Sequence, residues 1–328
     1  MKRVAVVLVC LLAGCPAPNP NQPTGGGGGP TINADSCGKI NVNPVGRKLY
    51  AFLQASAELD RASFELETTV RDACAKMATI LGVSPGGGTK EVCVRVANEL
   101  DANLKVSIKT EQRLVTRYKP PECHTKLDFA AGIVAECEAS ASANVDVRCT
   151  GRCSGTCNGA CDGTCSSGAA QTCNGTCSGA CNGKCSGSCD GYAQVNASAE
   201  CKASAEVRAN LHTECDEPKI EVVRQDVVIV DDSKFQKAMA AINAGLPIII
   251  RAGKKLELAG KAVVQWVSTG ASLIKASGDL ANQIGDKGLC VAGQLAGVIA
   301  ATANIQARFS VSIEVSAQVS TSCGATAQ

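Results

Sequence analysis

The sequence predicts an α+β chain: a helical base with a small antiparallel sheet, and one long disulfide-laddered β-hairpin standing on it. Three observations predict this. The central cysteines are mirror images about one fold-back point, the residues around them alternate with period two, and the flanks carry apolar residues at helical spacing. Composition sets the frame: 328 residues hold 21 Cys and 33 Gly against 5 Phe, 3 Tyr and 1 Trp. So many thiols do not belong to an ordinary cytosolic protein. Basic and acidic residues number 32 and 30, so no overall field draws the chain to nucleic acid. Two histidines and few aromatic rings also leave acid/base sites and base-stacking platforms poorly supplied.

The chain opens with Lys2-Arg3, an apolar run from Val4 to Leu12, and the small-residue junction Leu12-Ala13-Gly14-Cys15. That is the pattern of an export signal, and its last four residues resemble the lipobox of bacterial lipoproteins. The resemblance covers only the leader. It implies cleavage before Cys15 and a diacylglycerol on the Cys15 sulfur, and Pro16 in the next position implies the outer membrane as the destination. The partner so implied is the membrane, through the lipid anchor. In composition alone, the body resembles cysteine-rich lipoproteins of myxobacteria. From Pro16 to about Asp35 the chain is Pro, Asn and Gly, which cannot bury enough apolar area to fold. Some 20 such residues form a tether of roughly 25 Å. The chain thus divides into a signal peptide (1–14), a lipidated flexible tether (15–36), a helical hairpin with the first base strand (37–122), the laddered hairpin (123–215), and a base strand, helices and C-terminal strand (216–328).

Leu49, Phe52, Leu59, Leu66, Val70, Ala73, Met77 and Leu81 follow helical spacings, and Gly82 to Gly88 breaks the run before a second helix from Glu91 to Asn103. Leu104, Val106, Ile108, Thr110, Leu114 and Tyr118 then alternate with charged residues, which predicts a strand paired with Ile220 to Val230. Prolines 120, 121 and 218 predict a kink at its end.

The ladder rests on Cys149, Cys153, Cys157, Cys161 and Cys165, mirrored by Cys173, Cys177, Cys181, Cys185 and Cys189 in a Cys-x-Gly-x repeat. Each mirrored pair of residue numbers adds to 338, and so do Cys137 with Cys201 and Cys123 with Cys215, which lie outside the repeat. A constant sum is the register of one antiparallel hairpin turning near Ser166 to Thr172. Odd positions from Ala135 to Cys149 and from Ala193 to Leu211 are apolar, and most even ones are polar. Non-hydrogen-bonded partners lie about 4.5 Å apart, inside the disulfide range of about 4.4 to 6.8 Å, so seven cross-strand bridges are expected. An isolated ribbon is marginal in water. The bridges must supply what Gly and Ala cannot, each contributing on the order of 2–4 kcal/mol alone. One arm from Cys123 to Cys165 would reach roughly 140 Å if straight.

Rival readings fit less well. A helix lined with thiols, as in copper-storing bundles, pays about 1 kcal/mol for each Gly. Thiols within one arm stand roughly 13 Å apart, too far to share a metal. A β-solenoid with rows of Thr, Ser and Asn, resembling cysteine-rich antifreeze proteins, gives the mirror no reason to exist. Cys123, His124, His212 and Cys215 could form a tetrahedral metal site; a seventh disulfide with solvated imidazoles is the simpler expectation.

Later helices are expected over Ser233 to Asn243, Lys255 to Gln283 and Leu289 to Ile305, and a third base strand over Phe309 to Val319. Leu289 to Ala301 is too short for a membrane span. Of the five remaining cysteines, Cys74 with Cys93 would staple the helical hairpin and Cys37 with Cys323 would join the chain ends, leaving Cys290. No base accompanies Cys290, and Gly86-Gly87-Gly88-Thr89-Lys90 lacks the spacing of a phosphate loop. The expectation is therefore no catalysis and no cofactor: an outer-membrane lipoprotein with a structural or adhesive role. The alternatives are a toxin-like membrane-interacting protein whose bundle bears a β-tongue, and a thiol-rich Cu/Zn-binding lipoprotein.

Overall fold

The computed structural model describes residues 32–109, 115–140, 145–223 and 228–327. The expected signal peptide, Cys15 and most of the tether lie outside the described residues. The fold is α+β, as expected. Helix α1 (Pro44–Leu81) starts at Asn43, whose side chain accepts from Gly46 N–H at 2.7 Å, and stops at Gly82, which adopts φ 83°. Helix α2 (Thr89–Ser107) folds back along it and is stapled by Cys74–Cys93. The chain continues through β1 (Val115–Lys119), β2 (Cys123–Thr125), α3 (Leu127–Glu138), β3 (Asp146–Cys153), β4 (Thr156–Asp162), β5 (Cys173–Thr176), β6 (Ala180–Cys185) and β7 (Cys189–Asn196). It then forms α4 (Ala199–Leu211), β8 (Glu214–Cys215), β9 (Lys219–Val223), α5 (Asp232–Lys275), α6 (Ser277–Ile284), α7 (Gly288–Ser322) and β10 (Ala325–Ala327).

Helices α1, α5 and α7 hold 38, 44 and 35 residues, so each is on the order of 50–65 Å long. The two ends of this antiparallel bundle carry separate apolar clusters. One gathers Met77, Leu100, Phe235, Ile242, Leu246 and Val315, and the other Phe52, Leu59, Trp266, Leu295, Ile305 and Phe309. Trp266 is fully buried, stacks on Phe52 with centroids 6.3 Å apart, and donates its indole N–H to Ser56 Oγ at 2.8 Å. The small sheet, ordered β10-β1-β9, packs on the first cluster through Tyr118, Ile220 and Ala325.

Several expectations based on period two are overturned. Residues 104–107 end helix α2, and Val96, Leu100 and Leu104 are buried at intervals of four while Val106 is exposed. Of the expected strand, Ile108 forms an isolated antiparallel bridge with Ile229, β1 covers Val115 onward, and positions 110 and 114 lie outside the described residues. Its pairing with β9 keeps the sum 338, as in Tyr118↔Ile220. Phe309 to Val319 belongs to α7, where the buried positions Ile305, Phe309, Ser312, Val315 and Val319 have helical spacing. Its place in the sheet is taken by β10, parallel to β1. Residues 127–138 and 199–211 are also helices, so Cys137–Cys201 joins α3 to α4 and not two strands. A run of alternate Ala satisfies i, i+4 as well as i, i+2, and Ala favours helix over strand.

Candidate functional site: a coiled ribbon cored with sulfur

Among the described residues nine disulfides form, and seven of them are the pairs whose numbers add to 338: Cys123–Cys215, Cys137–Cys201, Cys149–Cys189, Cys153–Cys185, Cys157–Cys181, Cys161–Cys177 and Cys165–Cys173. The eighth is Cys74–Cys93. The ninth joins Cys37 to Cys290, not to Cys323, and so ties the N-terminal segment to the start of α7. Cys323 keeps a free, buried thiol, which its apolar surroundings push up to about 12. Nothing in the spacing of these three cysteines distinguished one partner from another.

The backbone of the repeat does not follow the disulfide sum. Strands β3 and β7 pair as Val147↔Val195 and Cys153↔Cys189, and β4 and β6 as Cys157↔Cys185 and Cys161↔Cys181, all adding to 342. The bridge Cys165↔Cys177 keeps that register to the tip. A second register adds to 332: Cys149↔Gly183 between β3 and β6, and Gly159↔Cys173 between β4 and β5. Gly183 therefore lies between Cys149 and Gly159, ten residues apart on one arm. The hairpin is coiled upon itself, each turn hydrogen-bonded to the next, in the strand order β5-β4-β6-β3-β7. The expected disulfide-laddered hairpin is present with its rungs as expected, but its backbone register differs and it is coiled, not flat. Five stacked strands span on the order of 20 Å, so the extended rod is replaced by a compact knob.

Both halves of the Cys-x-Gly-x unit are needed for this winding. The cysteines point inward, where Cys153, Cys157, Cys161, Cys173, Cys177 and Cys181 form one buried cluster. The five bridges from Cys149–Cys189 to Cys165–Cys173 span Cα distances of 5.7–5.8 Å, ordinary for a disulfide. They join positions four residues out of backbone register and so cross the coil's interior. Cys123–Cys215, by contrast, is an in-register pair with Cα atoms 4.0 Å apart. Glycine permits the close approach of the arms: a Cβ on Gly183 would sit 2.3 Å from Asn158 O and 2.7 Å from Gly159 Cα. Serine turns the corners. Thr156, Thr164 and Thr176 donate their N–H groups to Ser186, Ser178 and Ser166 Oγ at 2.7–2.8 Å. The Ser that follows Cys153, Cys165, Cys177 and Cys185, where other repeats carry Thr, Asn or Asp, was the sequence signal for these bends.

The coil is seated on α3 and α4. Ile133, Val134 and Ala205 pack against Val147, Ala193 and Val195. Along β7, two polar side chains of α4 replace a neighbouring strand. Glu206 accepts from Val195 N–H at 3.0 Å and from Tyr192 O–H at 2.7 Å, and Asn210 accepts from Ala193 N–H at 3.3 Å. Burial raises the Glu206 carboxyl above its ordinary range despite these bonds, and burial beside Glu206 raises the Tyr192 phenol. The sequence offered no sign of this network, because Glu206 reads as one more surface acid.

The two histidines diverge. His124 Nε2 lies 3.8 Å from Asp216, and His212 Nε2 lies 3.5 Å from Glu58 with its ring edge against Phe129. With Cys123 and Cys215 bonded to each other, the four residues do not assemble a tetrahedral ligand set. The outer face of the coil carries Thr150, Arg152, Asn158, Asp162, Asn174, Asn182 and Lys184, groups that form hydrogen bonds but supply no activated nucleophile. This arrangement can hold a polar surface rigid. The chain matches no protein-family model, no curated protein and no solved structure.

Proposed function

We propose that the chain is a non-enzymatic envelope lipoprotein, lipidated at Cys15, that holds a rigid polar knob at the outer membrane in a structural or adhesive role. The observation that carries this reading is the coil's interior, which is sulfur and backbone: a domain of this kind keeps its shape only where disulfides persist. The helical base anchors the knob, and Cys37–Cys290 ties the end of the tether to that base. The test has two arms. Mass measurement of the mature protein with and without reductant should give a shift of eighteen hydrogens, and Cys15→Ala should abolish labelling by radioactive palmitate. Reduced cysteines carrying Cu or Zn would instead support a metal-binding lipoprotein, and unlabelled wild-type protein would remove the anchor.

One observation favours a second, membrane-interacting reading. The stretch Asn282–Ser322 has a mean hydropathy of 1.5 over its most apolar window and is only 33% buried there, with Leu289, Ile299 and Ile313 exposed. Leakage of liposomes by delipidated protein would favour it over the knob.

A further inference from the structure

A cavity of about 440 Å³ opens beside the seat of the coil, between α1, the end of α4, β8 and the middle of α5. Leu66, Leu211 and Ile248 give it an apolar wall. Arg251 and Lys255, one helical turn apart on α5, line it as well, on the same helix as Ile248. Lys255 is half-buried and has no hydrogen bond or ion pair among the described residues. Arg251 reaches Glu217 only at 3.9 Å. Of the two lining carboxylates, Glu214 is held 2.8 Å from Lys126 and Glu65 is exposed. Burial, and then the neighbouring Arg251 charge, hold the Lys255 ammonium below its ordinary range.

A half-buried cation without a hydrogen bond or close ion pair is costly, a second cation one turn away adds repulsion, and the attraction of Glu214, itself held by Lys126, offsets this only in part. Both costs are offset when one anion sits between the two groups. The volume lies within the usual range for small-molecule sites, about 300–1,000 Å³. We propose that the cavity binds a small anionic amphiphile: a carboxylate with a short aliphatic chain, its head between Arg251 and Lys255 and its chain along Leu66, Leu211 and Ile248. The site is independent of the envelope reading and of the coil's role.

Calorimetric titration of the mature, disulfide-bonded protein tests this with octanoate, octanol and acetate. Octanoate should bind, and octanol and acetate should each bind at least about tenfold more weakly, one lacking the head and the other the chain. Lys255→Gln should weaken octanoate by about tenfold while leaving the unfolding temperature unchanged or higher, because it removes a half-buried charge that has no hydrogen bond. Arg251→Gln provides an independent drop should Lys255→Gln not fold. Wild-type protein that ignores octanoate, octanol binding as well as octanoate, or variants that bind octanoate undiminished would overturn the proposal.

Discussion

The coil and the helical base solve the same problem by opposite means. The base buries Phe52, Phe235, Trp266 and a full complement of Leu and Ile between long helices, so its cohesion is hydrophobic and non-directional. The coil offers Cys and Gly to its interior and no large side chain. Its cohesion comes from five covalent rungs and two backbone registers. The difference teaches that a glycine-rich ribbon too poor in apolar area to fold alone can still be closed into a compact body when sulfur replaces the core.

The largest expected effect separates the two cohesive mechanisms. Full reduction should strip residues 146–196 of amide-exchange protection while the helical signal of the base largely persists. Trp266→Ala should do the reverse, costing the base about 3–5 kcal/mol and leaving the oxidised coil protected. Hydrogen exchange followed by mass spectrometry reads both, and equal loss in both regions would erase the distinction. A smaller contrast concerns glycine. Gly183→Ala places a methyl group against the backbone of the facing arm and should cost about 1–3 kcal/mol. A Cβ on Gly253 or Gly260 of α5 meets nothing within 4 Å, so Ala there should add about 0.5–1 kcal/mol. Urea unfolding of the three variants checks the sign.

The smallest effect lies at the junction between the two regions. Glu206 has its carboxyl raised in the folded chain, so the folded state holds a proton that the unfolded chain releases above about pH 4.3. Stability should therefore fall as pH rises from that value through the folded value and then level off. Glu206→Gln should remove that slope, as read by urea midpoints across mildly acid to neutral pH. An unchanged slope would assign the dependence to another group.

The parts of the fold legible in the sequence were those set by one unambiguous constraint. Cys137 and Cys201, like Cys123 and Cys215, stand outside the repeat, and their shared sum held the disulfide partners in place. The starts of α1 and α5 were visible within a few residues as helical spacing from Leu49 and from Ser233, and the structure adds Asn43 and Asp231 as their caps. Where two periods coincide, legibility failed. Leu104 suits a strand by alternation with Val106 and a helix by its interval of four from Leu100, as Val311 does with Val315, and burial against neighbouring helices decided for helix in α2 and α7. The coil was hidden for a related reason. A cysteine every fourth residue faces another cysteine at 338 and again at 342, so the repeat alone leaves a four-residue slip between rung and register invisible. Arg251 and Lys255 carried no signal of a cavity in the sequence, because the end of α4 and β8, which close it, come from distant parts of the chain.

The coil is tested most directly by cross-strand proton contacts in the oxidised protein, with Gly183 as the reporter. The coiled ribbon predicts that its backbone protons contact both Gly159 on one side and Cys149 on the other. A flat ladder whose backbone pairs along the disulfide sum would place Gly183 opposite Gly155 alone, and that pattern would contradict the account.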